Sequence, residues 1–416
     1  MAQRSSPPHS ACRFCGAPLE EVFVDLGMSP PCESFLSRDQ LKEMEPFYPL
    51  VAYVCSKCLL VQLEEIVSPG EIFRDYAYFS SYSTSWVEHA RRYTDAMIDR
   101  LDLDASSFVV EVASNDGYLL QHFVKKGIPC LGIDPAENVV VEAREKGVET
   151  LTEFFGAESA RRLVQDRGPA DLIVGNNVLA QVHDINDFVE GIKILLAESG
   201  VATLEFPHLM RLIEQNQYDT IYHEHYSYFS FLTVSRIFGA HGLRLFKVEE
   251  LPTHGGSLRI FAAHTDGERP EDHSVREMRS REKDAGYETL EVYQGFQDKV
   301  QAQKRDLLSF LIEARRQGKR VVGYGAPGKG NTLLNYCGIR EDLLEFTVDR
   351  NPHKLGKYTP GTHIPIRSPE AIAEEKPDYL LILPWNLRDE ITRQNAFIRD
   401  WGGRFVVPIP TVEVLT

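Results

Sequence analysis

The run Phe108-Val-Val-Glu-Val-Ala-Ser-Asn-Asp-Gly-Tyr118 decides the fold. Its first half, FVVEVA, is short, apolar and rich in β-branched residues, as a strand covered on both faces requires. It then breaks into Ala113-Ser-Asn-Asp-Gly-Tyr118, small and polar residues that open a helix near 118–126 and let backbone approach a ligand closely.

The same alternation continues outward: CLGID (130–134), a helix from about 136, DLIVGNN (171–177), a helix near 185–197, and VATLEF (201–206). Strands alternating with helices predict a doubly wound α/β sheet, expected to run to about residue 265. Upstream, YAYFSSYS from Tyr76 reads as a lid-like loop leading into the helical spacing of Trp86 to Leu101. Residues 266–318 are highly charged with few strand signals, and a long helix leaves through LLSFLIEARRQ. A second alternation follows in RVVGYG, LEFTVD (344–349), DYLLILP (378–384) and RFVVPIP (404–410). The expected units are a small Cys-rich N-terminal domain (1–65), a central α/β domain with an N-terminal lid segment (66–265), a helical connector (266–310) and a short Rossmann-like C-terminal domain (311–416).

A chain of 416 residues is too long for one ordinary core, and 43% hydrophobic with 25% charged residues is ordinary globular usage. The net charge of -16 opposes the phosphate attraction that drives nucleic-acid binding, so nucleic acid is not an expected partner. No apolar run approaches the roughly 18 residues of a membrane span, and MAQRSSPPHS lacks the apolar stretch of a signal peptide. A cytoplasmic monomer is expected, with no membrane contact.

Four of the seven cysteines form two knuckles, Cys12-x-x-Cys15 and Cys55-x-x-Cys58. Four thiolates around one tetrahedral Zn2+ supply folding energy that a segment this small lacks. A redox reading needs a thioredoxin-like βαβ context that the short leader does not provide. With every ligand from protein, no coordination position is left for a reacting water, so the expected role is structural.

In the central unit the strand after the Ala113–Tyr118 turn ends in Asp134, where a carboxylate can accept both hydroxyls of an adenosine ribose. G-x-G-x-x-G is absent from 113 to 118, so close approach to a pyrophosphate is not encoded. S-adenosylmethionine has no phosphate, and its ammonium and sulfonium suit Glu111 and Asp116, with Ser114 and Gly117 in the same turn. Asn176 and Asn177 at the end of the fourth strand either bond adenine or methionine groups or simply make a turn. Near the C-terminus, Gly323-Tyr-Gly-Ala-Pro-Gly328 fits G-x-G-x-x-G after a strand and suits a diphosphate. Gly330 follows Lys329 where a P-loop needs Ser or Thr, which excludes an NTPase; Lys329 reads as a phosphate counter-charge.

Together, E-V-A-S-N-D-G-Y-L-L, the Asn-Asn strand end, Tyr222-His-Glu-His-Tyr226, His254-Gly-Gly-Ser-Leu-Arg259 and Gly323-Tyr-Gly-Ala-Pro-Gly-Lys-Gly-Asn331 resemble one family. It is the three-domain sugar-nucleotide C-methyltransferases of antibiotic deoxysugar pathways, tetronitrose among them. The resemblance spans nearly the whole chain, cysteine pairs included. It implies a dTDP-linked 3-amino-4-keto deoxysugar, or a near relative, held between the central and C-terminal domains. His254, Gly255, Arg259, Gly325, Lys329 and Asn331 are the positions it offers for that substrate. One position departs: Gln181 stands where the family pattern has His, and His183, two residues on, is expected to face elsewhere.

Methyl transfer to carbon requires an electron pair that a neighbouring ketone can supply through an enolate. Such a site needs a base near carbon 3 and a donor near the carbon 4 oxygen. His225 is the expected base and Glu224 its orienting or charge-balancing partner, with Tyr222 and Tyr76 as donors or sugar contacts and Gln181 as a weakened catalytic position. The competing readings are O- or N-methylation of a small natural product, and a zinc-ribbon binding protein whose methyltransferase domain has degenerated.

Overall fold

The computed structural model describes residues 11–64 and 79–415. Its first nine strands are β1 (Glu21–Ser29), β2 (Tyr48–Val54), β3 (Val61–Leu63), β4 (Val109–Val112), β5 (Cys130–Ile133), β6 (Thr150–Leu151), β7 (Ala170–Asn176), β8 (Leu196–Pro207) and β9 (Ser227–Tyr228). Eight more follow: β10 (Leu243–Leu251), β11 (Ser257–His264), β12 (Val321–Tyr324), β13 (Thr347–Val348), β14 (Ile366–Arg367), β15 (Tyr379–Ile382), β16 (Arg404–Val407) and β17 (Glu413–Leu415). They form three sheets, one in an N-terminal module, one in a central Rossmann-like α/β domain and one in a C-terminal Rossmann-like α/β domain.

The central sheet has the order β10-β11-β8-β7-β4-β5-β6, parallel from β8 to β6, with β11 antiparallel to both neighbours. All four residues of β4 are buried, which is why FVVEV reads as a continuous apolar run with a single acid. The chain steps from β4 to β5 and β6, then returns to place β7 on the other side of β4. The order reverses between β4 and β7, and a crevice opens there beyond the carboxyl ends of the strands.

The C-terminal sheet repeats this logic in the order β14-β13-β12-β15-β16-β17, parallel except for the edge strand β17. Its reversal falls between β12 and β15, so the glycine loop after β12 also lies at a crevice. The charged stretch between the domains holds the helices His273–Asp284 and Phe296–Arg316. Glu282 in the first is fully buried and accepts from Phe231 N (2.6 Å) and Leu232 N (2.8 Å), capping the helix Phe231–Ala240 with a carboxylate.

The N-terminal sheet, β1-β2-β3-β9, takes its last strand from the central domain, with Val61 paired to Tyr228. Phe23 stacks on Phe296 with ring centroids 4.6 Å apart, and one apolar cluster joins Phe23 and Leu50 to Leu307, Leu333 and Ile382. The first segment therefore shares a core with the long helix and the C-terminal sheet in addition to its cysteine cluster.

Candidate active site

The two cysteine knuckles fold alike. Gly16 N bonds Cys12 O and Leu59 N bonds Cys55 O, both at 2.9 Å, and both donors take positive φ to close the turn. All four Sγ atoms lie within 4.8 Å of one another, with Cys12–Cys58 and Cys15–Cys55 at 3.5 Å. Zn–S bonds of about 2.3 Å in a tetrahedron place sulfurs roughly 3.8 Å apart, so the donor set fits the ion. Gln62 Nε2 donates to Cys12 Sγ at 3.1 Å from the next shell. No cysteine of the four lines the large cavity described next, as befits a structural zinc.

A cavity of about 1180 Å³ opens where the two crevices meet. At its central-domain end stand Asn115, Asp134, Asn176 and Asn177, with Ile133 and Phe154 among its apolar walls. Asp134 accepts from Asn115 N and Ala136 N, each at 2.9 Å, so the carboxylate is fixed while lone pairs remain for a ligand. Burial pushes its pKa up against those two N–H groups. Both amide atoms of Asn176 are sealed from solvent without a partner among the described residues, an unmet hydrogen-bonding demand at the end of β7. Ala113, Asn115 and Asn177 all have left-handed φ (58°, 49° and 57°), the sort of backbone strain that gathers at ligand sites. An adenosine ribose and polar amino-acid groups suit these residues, so S-adenosylmethionine fits here.

Other residues singled out near this turn point elsewhere. Glu111 is fully buried within the sheet, and burial pushes its pKa well above the carboxylate range despite the nearby Tyr118. Ser114 packs against Gly132, where an added Cβ would lie 2.4 Å from Ser114 Oγ. Asp116 pairs with Lys146 Nζ (2.9 Å) and accepts from Ser81 N (3.2 Å), fastening the residues before the helix Thr84–Leu101. Gly117 (φ 73°) is crowded by Val148 and Ala143. None of these four lines the cavity.

Tyr222, Glu224 and His225 all face the cavity from the loop before β9. His225 Nδ1 lies 3.2 Å from Thr220 O, so it carries the proton and donates, and Nε2 has no hydrogen-bond partner among the described residues. Burial holds the ring neutral, down to about 3, with His254 and Lys329 adding to the effect. Burial pushes Glu224 up to about 7, and its Oε2 accepts from Cys32 Sγ at 2.8 Å. Tyr76 lies outside the described residues. Gln181 lines the cavity and, against expectation, so does His183. Val182 between them is extended (φ -81°, ψ 123°), and across an extended residue positions i and i+2 share a side.

The C-terminal domain supplies Gly325 and Lys329 at the start of the helix Gly328–Cys337, together with Asp349, Arg350 and Lys354. Lys329 Nζ donates to Asn386 Oδ1 (2.9 Å) and stands 4.7 Å from the Trp385 ring centroid. Asp349 repeats the Asp134 arrangement, accepting from Ala326 N (2.7 Å) and Asn351 N (2.8 Å). His254 lines the cavity, but Gly255, Arg259 and Asn331 do not. Arg259 lies opposite both Glu205 and Glu249 across neighbouring strands and pairs with both, buried on the Glu205 side and partly exposed on the Glu249 side. Gly255 is pressed against Trp385 and Gln217. Asn331 Nδ2 donates to Cys32 O at 2.6 Å, tethering the zinc module to the C-terminal helix. Sequence reading passed over Cys32, Trp86, Asn115 and Asp349; for Asp349 the signal was present, an acid ending the strand that follows a glycine loop.

Three family models cover the chain: a "Putative zinc binding domain" over residues 12–73, a "Methyltransferase domain" over 86–248 and a "C-methyltransferase C-terminal domain" over 252–410. C-methyltransferase NovU of Streptomyces niveus is 36% identical over 412 residues, 98% of this chain and 97% of its own. Among solved structures, the magnesium protoporphyrin IX methyltransferase of Synechocystis PCC 6803 with bound SAM is 15% identical, covering 49% of this chain and 100% of its own at a TM-score of 0.35. A SAM-dependent methyltransferase from Anabaena variabilis is 12% identical over 49% of this chain and 99% of its own at 0.36. Likenesses at those scores carry no weight; the near full-length match to NovU does, and the chain belongs to the family of S-adenosylmethionine-dependent C-methyltransferases that includes NovU.

Proposed function

We propose that the chain methylates carbon 3 of a dTDP-linked 3-amino-4-keto deoxysugar through an enolate, in the biosynthesis of an antibiotic sugar. The observation that carries the reading is His225, which lines the cavity with Nδ1–H tied to a backbone carbonyl and Nε2 without a partner among the described residues. Its Nε2 takes the proton from carbon 3, the C–H electron pair forms the C3–C4 double bond, and the carbonyl pair moves onto the carbon 4 oxygen. Held neutral, the ring is always in its accepting form, and the proton it gains sits beside the negative charge forming on the substrate. Bound S-adenosylmethionine supplies the electrophilic methyl group that carbon 3 then takes. Tyr222 shares the loop, with its ring centroid 4.1 Å from that of His225, and positions the sugar. Lys329, Arg350 and Lys354, with the N-terminus of the helix Gly328–Cys337, suit the diphosphate.

One observation favours a second base. Glu224, at about 7, matches the working pH better than His225 does. Exchange of the carbon 3 proton in D2O without cofactor separates the two. His225→Asn is expected to abolish exchange and methylation while Glu224→Gln keeps part of each. If His225→Asn retains the parent rate and Glu224→Gln is dead, Glu224 is the base. A methyl group found on oxygen or nitrogen supports the alternative reading of an O- or N-methyltransferase.

A further inference from the structure

His225 is not the only neutral histidine in the cavity. His254 also lines it, close enough that a proton on either ring would disfavour one on the other, and the two rings share the Nδ1–H tautomer but are anchored through opposite nitrogens, His225 by Nδ1 and His254 by Nε2. Asn177 Nδ2 lies 3.2 Å from His254 Nε2. An amide nitrogen only donates, so Nε2 accepts and the neutral ring carries its proton on Nδ1. That Nδ1 has no hydrogen-bond partner among the described residues. One ring thus offers a bare acceptor to the cavity and the other an unused N–H.

The arrangement is kept at a backbone cost. Asn177 and His254 both take left-handed φ, 57° and 53°, a conformation that Asn and His tolerate better than most residues. Gly255 and Gly256 follow at 89° and 118°, so tightly packed that a Cβ would lie 2.5 Å from Trp385 and 2.9 Å from Arg211. The Trp86 ring meets His254 at 66° with centroids 5.5 Å apart. Burial and Lys329 hold His254 down to about 4, so the ring stays neutral and keeps its single N–H at working pH.

We infer that His254, carrying its proton on Nδ1, donates a hydrogen bond to the substrate's carbonyl oxygen as the enolate forms, and that Asn177 is the positioning residue that sets its tautomer. The inference rests on the enolate reading above and names the oxyanion donor that it requires. In the step, the proton passes from carbon to His225 Nε2 and the carbonyl electron pair comes to rest on oxygen. His254 keeps its own proton throughout.

The test is proton exchange at the carbon next to the ketone, followed by NMR in D2O with a dTDP-linked 4-keto sugar and no cofactor. His254→Leu should slow exchange about 100-fold or more, the usual effect of losing one oxyanion donor. His254→Asn, whose amide nitrogen can stand near the place of Nδ1, should recover most of it. Asn177→Asp, whose carboxylate accepts a hydrogen bond from Nε2–H and so leaves Nδ1 bare, should slow exchange without changing the substrate's dissociation constant. If His254→Leu loses the fold, seen as loss of sugar-nucleotide binding, Asn177→Asp decides. Unchanged exchange in Asn177→Asp, or equal loss in His254→Asn and His254→Leu, overturns the assignment. So does a Lys329→Met variant that abolishes exchange while His254→Leu does not. Absence of exchange in the parent protein removes the enolate reading and this inference with it; a parent that exchanges alongside an indifferent His254→Leu removes only the inference.

Discussion

Burial keeps both cavity histidines uncharged, His225 at about 3 and His254 at about 4, whereas in an unfolded chain each would titrate near 6.5. Between about pH 6.5 and 4 the unfolded chain therefore binds protons that the folded protein refuses, and stability falls as pH falls. Asp219 and Glu224, raised by burial to about 6 and about 7, act in the opposite sense. His254→Asn removes one group of the first kind only, so its melting temperature should drop less steeply than the parent's from pH 6.5 to 4.5; parallel curves would contradict the neutral assignment. Asp134 lines the central-domain end of the cavity, proposed for the cofactor, and Asp134→Ala should weaken S-adenosylmethionine binding by about 2 kcal/mol, read by calorimetry. An unchanged dissociation constant rejects that placement. Asp134 was legible because a strand-ending acid has one place to point. The turns of Glu111 into the sheet and of Asp116 toward Lys146 were not, since a side chain's direction depends on neighbours far along the chain.

Strands that are apolar and continuous, such as β4, β7 and β15, were readable because burial on both faces leaves one composition. The two-residue strands β9, β13 and β14 were not, because nothing local distinguishes them and only pairing defines them. The pairing of β9 matters most. It binds β3, just after the second cysteine knuckle, to the residues that follow His225. The zinc module thereby supports the loop that carries Tyr222, Glu224 and His225, while its four paired cysteines stay clear of the cavity. Cys58→Ser should lose the one equivalent of zinc and most methylation while keeping cofactor affinity. Zinc retained, or full activity after its loss, contradicts this link.

Across the whole molecule the cavity is built by all three units: Cys32 and Glu33 from the zinc module, Asp134, Asn176, His225 and His254 from the central domain, and Lys329 and Lys354 from the C-terminal domain. Each unit's local signals were visible in its own stretch of sequence. Their convergence was not, because it is set by the shared core that joins Phe23 to Phe296 and Ile382 and by tethers such as Asn331 to Cys32. Among the described residues no helix is long and apolar enough to cross a membrane. Joining two crevices gives room for a methyl donor and a sugar nucleotide together, as transfer between them requires. The most direct test supplies S-adenosylmethionine with a 13C-labelled methyl and a dTDP-linked 3-amino-4-keto deoxysugar, then locates the label by NMR. Methylation through the enolate gives a labelled methyl bonded to carbon 3, with carbon-to-carbon connectivity and loss of the carbon 3 proton; a label on oxygen or nitrogen, with that proton still in place, would contradict that route.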